Sequence, residues 1–193
     1  MINQPLRKKA TRLPFRFNPK KLKAGLLSIP ENEWTEVQTP WALPGSVFGI
    51  DLFVVDLANT IPTVSTAFKP GPALERNAYL QEVLGTFKCK ILKARLNRLR
   101  AGAFISPHTD AYGYRTGEVR VHIPIVTNDL FRFNFDNESW HMKEGECWYV
   151  ETTERHGVTN NGAEDRTHLV MDLRVNDWLE DIFRQHGFPA MPK

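Results

Sequence analysis

Leu96-Asn-Arg-Leu-Arg-Ala-Gly-Ala-Phe-Ile-Ser-Pro-His-Thr-Asp110 is the stretch that decides the fold. It reads as a strand, an Ala101-Gly102 break, and a second strand ending on His108-Thr109-Asp110. Alternate residues of a strand share one face, so His108 and Asp110 point the same way. Downstream, Val119-Arg-Val-His-Ile-Pro-Ile-Val126 is β-branched and alternating, which predicts another strand. His156 stands far along the chain in His156-Gly-Val-Thr-Asn160, and to reach the pair it must come from a different strand folded back against the first. That return predicts a barrel. Beyond the turn signal Asn160-Asn-Gly162, the chain comes back as Arg166-Thr-His-Leu-Val-Met-Asp-Leu-Arg-Val175. This predicts a hairpin that sets Arg166 deeper along the strand beside His156.

Two histidines and one carboxylate on one side of an ion leave its opposite positions open, the ligand set that suits non-haem Fe(II) oxygen chemistry. An arginine nearby suits a carboxylate, because its planar fork makes paired charge-assisted bonds that lysine cannot. A bare His-x-Asp is a weak signal, and a lone His156 is more often a satisfied histidine than a ligand. The weight rests on the constellation.

From about Leu96 to Asp177 the chain resembles the aspartyl/asparaginyl β-hydroxylase family of Fe(II)/2-oxoglutarate oxygenases, which includes bacterial hydroxylases of free proline. The resemblance is carried, in order, by His108-x-Asp110, Arg120-Val-His122-Ile-Pro124, Gly145-Glu-Cys-Trp148, His156-x-Val-x-Asn160 and Arg166-x-x-Leu-Val-x-Asp172. It implies a mainly β fold, a double-stranded β-helix or cupin-like jelly roll with a few flanking helices, holding one iron. Some members have glycine in place of the carboxylate. This chain keeps Asp110 and so looks more like the bacterial members.

The resemblance also implies site roles. His108, Asp110 and His156 would be the catalytic metal ligands for Fe(II), leaving room for 2-oxoglutarate and O2. Arg166 would grip the far carboxylate of 2-oxoglutarate, with Asn97 as a further support. Arg120 and His122 would lie near the C1 carboxylate of the co-substrate or the carboxylate of the substrate; an ordinary ion pair on a barrel strand is the alternative for them. The implied reaction hydroxylates an unactivated carbon of an amino acid, or of an Asp/Asn-type residue in a peptide, with succinate and CO2 as co-products. Two alternatives stay open: a metal-binding cupin of another class, either an isomerase or a dioxygenase that does not use 2-oxoglutarate, and a non-enzymatic jelly-roll binding module. Arg166 argues against the first and the intact triad against the second.

Around this core the sequence predicts less. Ala111-Tyr-Gly-Tyr-Arg-Thr-Gly-Glu118 reads as a lid or a plain loop, with Tyr112 and Arg115 as candidate substrate contacts. Trp140 is a candidate wall of the substrate pocket, core packing being the alternative. His168 reads as a support or core residue, His141 and His186 as exposed, and Glu144 and Glu146 as surface acids about the Gly145 turn. Asn18 and Asn176 are read as capping short helices, and Pro70 to Gly85 as one helix ended by glycine.

At 193 residues the chain fits one domain with a substantial core: a basic N-terminal arm over 1–17, then a single jelly-roll domain over 18–193 with its core at about 88–177. Residues 1 to 23 hold eight Lys or Arg and no acid, so the arm reads as a solvated tail, or as a guide for an acidic substrate or partner. No stretch has the length of a membrane span or the apolar core of a signal peptide. The expected setting is cytoplasmic, with a small-molecule amino acid or short peptide as partner and no nucleic acid. Cys89 and Cys147 are far apart and predict two buried thiols without a disulfide framework.

Overall fold

Strands form where β-branched and aromatic residues alternate with polar ones, and they stop at glycine or Asn/Asp turns. The computed structural model describes residues 8–56 and 67–191. In chain order these hold β1 (Ala10–Arg16), α1 (Pro19–Leu27), β2 (Thr35–Glu36), β3 (Val47–Asp51), β4 (Phe53–Val55), β5 (Phe68–Pro70), α2 (Pro72–Glu75) and α3 (Ala78–Gly85). They continue with β6 (Ile91–Leu99), β7 (Phe104–His108), β8 (Glu118–Val126), β9 (Phe131–Phe135), β10 (Ser139–Trp140), β11 (Glu146–Val150), β12 (His156–Asn160), β13 (Arg166–Arg174) and α4 (Asp177–Gln185). A seven-stranded sheet in the order β1-β11-β8-β13-β6-β3-β2 faces a four-stranded sheet in the order β10-β9-β12-β7. Both are antiparallel, and together they form the double-stranded β-helix that the sequence predicts.

Period-two alternation divides the large sheet into two faces. Val121, Ile123, Leu169, Met171 and Leu96 point outward into a core shared with Leu22, Leu80, Val83, Leu179 and Phe183 of the helices. Arg120, His122, Arg166, His168 and Asp172 occupy the opposite parity, facing the small sheet. There a second core of Phe131, Phe133, Phe135, Val150 and Val158 fills the space between the sheets. Eight of the nine residues of β13 are buried, because one face of this central strand meets the helices and the other the barrel interior. Three polar side chains, Arg166, His168 and Asp172, are thereby carried into the barrel interior.

The helices begin at the predicted caps. Asn18 accepts from the amides of Lys20 and Lys21, and Asn176 from that of Leu179. The single helix expected from Pro70 to Gly85 is instead two. Asn77 leaves the helical conformation, and its side chain caps Leu80 N at 3.0 Å, starting α3 afresh. Gly85 closes α3 as its last residue.

The basic N-terminal region also departs from expectation. Residues 1–7 lie outside the described residues, but Ala10–Arg16 is not a tail: it is an edge strand paired with β11 from Ala10↔Val150 onward. Leu13 is buried on one side, while Arg12 and Arg16 reach Glu146 at 3.4 and 2.9 Å. Glu146 itself is buried rather than superficial and also accepts from Trp148 Nε1 at 2.7 Å and Lys143 N at 3.0 Å. Glu144 pairs with Lys23 at 2.7 Å. His141 and His186 are half-buried, each with a ring nitrogen against a backbone carbonyl. Among the described residues both cysteines are free, with Cys147 buried and Cys89 half-buried. No helix of the described residues is long and apolar enough to cross a membrane.

Candidate metal and carboxylate site

His108 ends β7, and its partner across the ladder is His156 at the start of β12, in direct antiparallel register. The register slips by one residue between His156 and Val158. Gly157 makes this bulge possible: a Cβ there would lie 2.8 Å from Ile105 O and 3.2 Å from Pro107 N. Asp110 follows two residues after His108, its backbone fixed by Asp110 N donating to Thr152 O at 2.7 Å. The ligand atoms of His108, Asp110 and His156 all lie within 4.8 Å of one another, a group able to hold a metal ion.

The rings are also prepared as ligands. Nδ1 of His108 lies 2.8 Å from Ser106 O, and Nδ1 of His156 lies 2.9 Å from Glu154 O. A carbonyl can only accept, so each Nδ1 carries the proton and each Nε2 keeps its lone pair for a cation. Trp41 stacks on His108 with centroids 5.6 Å apart, and Phe133 on His156 at 5.4 Å. Burial lowers the His156 pKa and favours the neutral ring that a metal requires.

A cavity of about 240 Å³ runs inward from this triad and is lined by Asn97, Arg120, His122 and Arg166 among others. Two larger hollows, of about 670 and 610 Å³, open elsewhere and include none of the triad. Convergence of ligand atoms, more than size, marks the site.

Arg166 lies in the cavity wall, 3% exposed. Its Nη2 donates to His168 Nδ1 at 2.9 Å, its guanidinium lies 4.6 Å from the Phe131 ring centre, and its Nε has no partner among the described residues. Desolvation alone pushes its pKa down to about 9. A guanidinium stays charged at neutral pH, so that shift reports a buried cation facing a neutral imidazole and an aromatic ring. Such a charge calls for an anion. His122 is buried in the same wall, and among the described residues neither its two ring nitrogens nor Asn97 Oδ1 has a partner. Burial, then the charges of Arg166 and Arg120, hold His122 far below the usual histidine pKa, hence neutral.

Arg166 reaches this place by a different route from the predicted hairpin. β12 and β13 do not pair with each other; they belong to opposite sheets. The chain crosses between them at a corner held by Asn160, whose Nδ2 donates to the carbonyls of Leu99, Arg100 and Glu164. Arg166 therefore looks across the barrel.

The remaining candidates divide. Arg120 lines the cavity, but all three of its nitrogens are engaged: Nε and Nη2 donate to Asp172 at 2.7 and 3.0 Å, and Nη1 donates to Asp110. The Tyr112 ring lies 5.0 Å from that guanidinium and is not part of the cavity wall. Arg115 is exposed on the turn Tyr114–Thr116, away from the cavity. Trp140 is also outside it. Its strand is the outermost of the small sheet, so the ring meets Trp148 at 5.7 Å instead. The loop after Asp110 is tied down rather than lid-like: Tyr114 is 1% exposed, donates through its OH to Pro189 O at 2.8 Å, and donates through its backbone N–H to Tyr149 OH at 3.0 Å. Sequence reasoning missed Trp41, Thr39 and Val37, which line the cavity from the Pro- and Gly-rich stretch before β3. No periodicity there marks them.

A family model described as "Aspartyl/Asparaginyl beta-hydroxylase" matches residues 73–175, a little over half of the chain. A curated relative, L-proline cis-4-hydroxylase of Rhizobium meliloti (strain 1021), is 27% identical over 114 residues, 58% of this chain and 41% of that protein. The chain thus spans well under half the length of that relative. Among solved structures, an oxidoreductase of the 2OG-Fe(II) oxygenase family from Burkholderia pseudomallei aligns with TM-score 0.56 and 18% identity, covering 86% of this chain and 85% of that one. A prolyl-4-hydroxylase from Pseudomonas putida aligns with TM-score 0.55 and 10% identity, covering 88% and 94%. At those identities the likeness to the solved structures is one of fold.

Proposed function

The chain belongs to the aspartyl/asparaginyl β-hydroxylase family, and from that premise we propose that it is an Fe(II)- and 2-oxoglutarate-dependent dioxygenase that hydroxylates an unactivated carbon. The observation that carries this reading is the pairing of two unmet demands in one cavity. At one end stand three metal-ligating groups with both imidazole lone pairs presented. In the wall is a buried arginine with no anion among its partners in the described residues. A dicarboxylate that chelates a metal at one end and ends in a second carboxylate meets both.

In this reading His108, Asp110 and His156 hold Fe(II), and Arg166 binds the distal carboxylate of 2-oxoglutarate. His122 offers it a further hydrogen bond from a ring nitrogen that has no partner among the described residues, and Asn97, in the same wall, would support it only through its amide NH2, since its Oδ1 accepts. Bound iron supplies the activation of O2. The balance is one substrate C–H, one O2 and one 2-oxoglutarate giving C–OH, succinate and CO2. The protein's part is to fix the orientation of the co-substrate through Arg166 and to keep bulk water from a pocket walled by Phe133, Val158 and Val170.

A free amino acid or short peptide is the substrate class that fits best. A cavity of about 240 Å³ that must also take 2-oxoglutarate leaves room for little more, and the relative named L-proline cis-4-hydroxylase supports a small amino acid. A reducing cytoplasm suits the free thiols and would keep iron ferrous. The test is succinate formation by anaerobically iron-loaded protein given 2-oxoglutarate and O2, screened against free amino acids and short Asp- or Asn-containing peptides, with His156→Ala protein as the blank. The expected result is substrate-stimulated succinate with a product about 16 mass units heavier, the mass of one inserted oxygen. Equal succinate from the His156→Ala protein would sink the assignment.

A further inference from the structure

Asp172 and Arg120 face each other across neighbouring strands, β13 and β8, in direct register. Both oxygens of Asp172 go to this one partner, at 2.7 Å from Nε and 3.0 Å from Nη2, and the carboxylate is only 5% exposed. A two-point fork fixes the plane of a guanidinium. The nitrogen left over, Nη1, donates to Oδ2 of Asp110, the carboxylate of the metal-ligating triad. A continuous line of carboxylate, guanidinium and carboxylate therefore runs from the middle of the large sheet to the metal-binding end of the cavity.

The charges explain why two acids share one arginine. A guanidinium paired with Asp110 alone would compete with a cation for the same oxygen lone pairs. With Asp172 bonded to it twice, much of its positive charge is already matched, and the third nitrogen can orient Asp110 without claiming it. We infer that Asp172 and Arg120 are a positioning pair for the metal-binding carboxylate, Arg120 setting the rotamer of Asp110 and Asp172 supplying the countercharge that keeps Asp110 available as a ligand. The inference rests on the reading of the triad as a metal site. It assigns Arg120 to the ligand shell rather than to a carboxylate of co-substrate or substrate.

In Asp172→Asn one accepting oxygen becomes an NH2 that meets an Arg120 N–H donor to donor, and the countercharge is lost. Partners that orient metal ligands typically contribute 10–100-fold in metal affinity, and a loss of about that size is expected here. The experiment is an anaerobic Co(II) titration of the full chain, followed by the visible bands of the bound ion, for wild type, Asp172→Asn and Glu146→Gln. The last alters a buried carboxylate outside the site and serves as the stability control. The affinity for 2-oxoglutarate is then measured at saturating Co(II). The expected outcome is weaker Co(II) binding and altered bands in Asp172→Asn alone, with 2-oxoglutarate affinity unchanged. Wild-type Co(II) affinity in Asp172→Asn, or an equal loss in Glu146→Gln, overturns the inference and leaves the metal site standing. A loss confined to 2-oxoglutarate binding overturns it in favour of a direct carboxylate grip by Arg120. Failure of the wild type to bind Co(II) overturns the metal-site reading and the inference with it. Should Asp172→Asn not fold, Arg120→Met/Asp172→Leu replaces the ion pair by apolar groups, an exchange that is often neutral for stability. The same loss of Co(II) affinity is expected, and wild-type affinity overturns the pair's role.

Discussion

Arg166 shows how one side chain can be costly to the fold and useful to the site. Its guanidinium is buried with one hydrogen bond to a neutral ring and a face on Phe131. Because an arginine only donates, His168 must accept on Nδ1 and carry its proton on Nε2. That accounts for a histidine that the sequence left as support or core. Replacing Arg166 by lysine removes the fork and keeps only a point charge. Arg166→Lys is expected to raise the dissociation constant for 2-oxoglutarate tenfold or more, from the roughly 1.5–3 kcal/mol of a hydrogen bond to a charged group, while leaving Co(II) affinity within about twofold, since no metal ligand changes. Isothermal titration with each ligand checks both. Unchanged 2-oxoglutarate affinity would remove Arg166 from the carboxylate grip.

At the scale of elements, one strand feature bears on how the triad residues meet and another on how the edge strand is held. The bulge at Gly157 lets β7 and β12 approach while bringing His108 opposite His156. In Gly157→Ala the new methyl meets backbone, the carbonyl of Ile105 and the nitrogen of Pro107, which cannot swing aside. Overpacking of this kind costs about 1–3 kcal/mol, and the expected signature is a lower denaturation midpoint together with weaker metal binding as the strands part. Loss of stability without loss of affinity would show that the ladder spacing does not set the site. The second feature is Glu146, which ties β1 to β11. Burial raises its pKa, but bonds from Trp148, the Lys143 amide and Arg16 outweigh this and leave it below the ordinary 4.5. A carboxyl with a lowered folded pKa stabilises the fold above its unfolded value, and the contribution fades as pH falls through the folded value. Glu146→Gln should therefore cost about 1–3 kcal/mol at neutral pH, and the gap from wild type should close as pH drops below 4.5. A gap that stays constant into acid would mean that the charge of Glu146 contributes nothing. These features were unequally legible in the sequence. Gly145 announced its turn and indeed sits at φ 74°, whereas β1 hid inside a run of basic residues because an edge strand may keep one face charged.

For the molecule as a whole, the site is a place where two sheets leave polar groups unpaired between them, so occupancy should stabilise the fold. A ligand that binds only the folded state at 100 times its dissociation constant adds about 2.7 kcal/mol. For a chain of this size, that shifts the melting temperature by about 5–10 °C. Co(II) with 2-oxoglutarate is expected to raise Tm by that amount in anaerobic melts, a chelator to reverse it, and His156→Ala to show no response. An identical shift in His156→Ala would place the binding elsewhere. The sequence by itself determined the strand class, the shared face of His108 and Asp110, the three ligand candidates and the capped helices. The strands, the shared face and the caps follow from period-two alternation and local cap chemistry, which act between near neighbours in the chain, whereas His156 enters the ligand set through the ordered motifs by which the chain resembles its family. Only the tertiary structure decided that β12 and β13 lie in opposite sheets, that Ala10–Arg16 is a strand, that Trp41 covers His108 while Trp140 turns away, and that Arg120 is held between two carboxylates. Each of these depends on which strands lie side by side or face to face, and that is set by long-range packing of the two cores rather than by any local pattern.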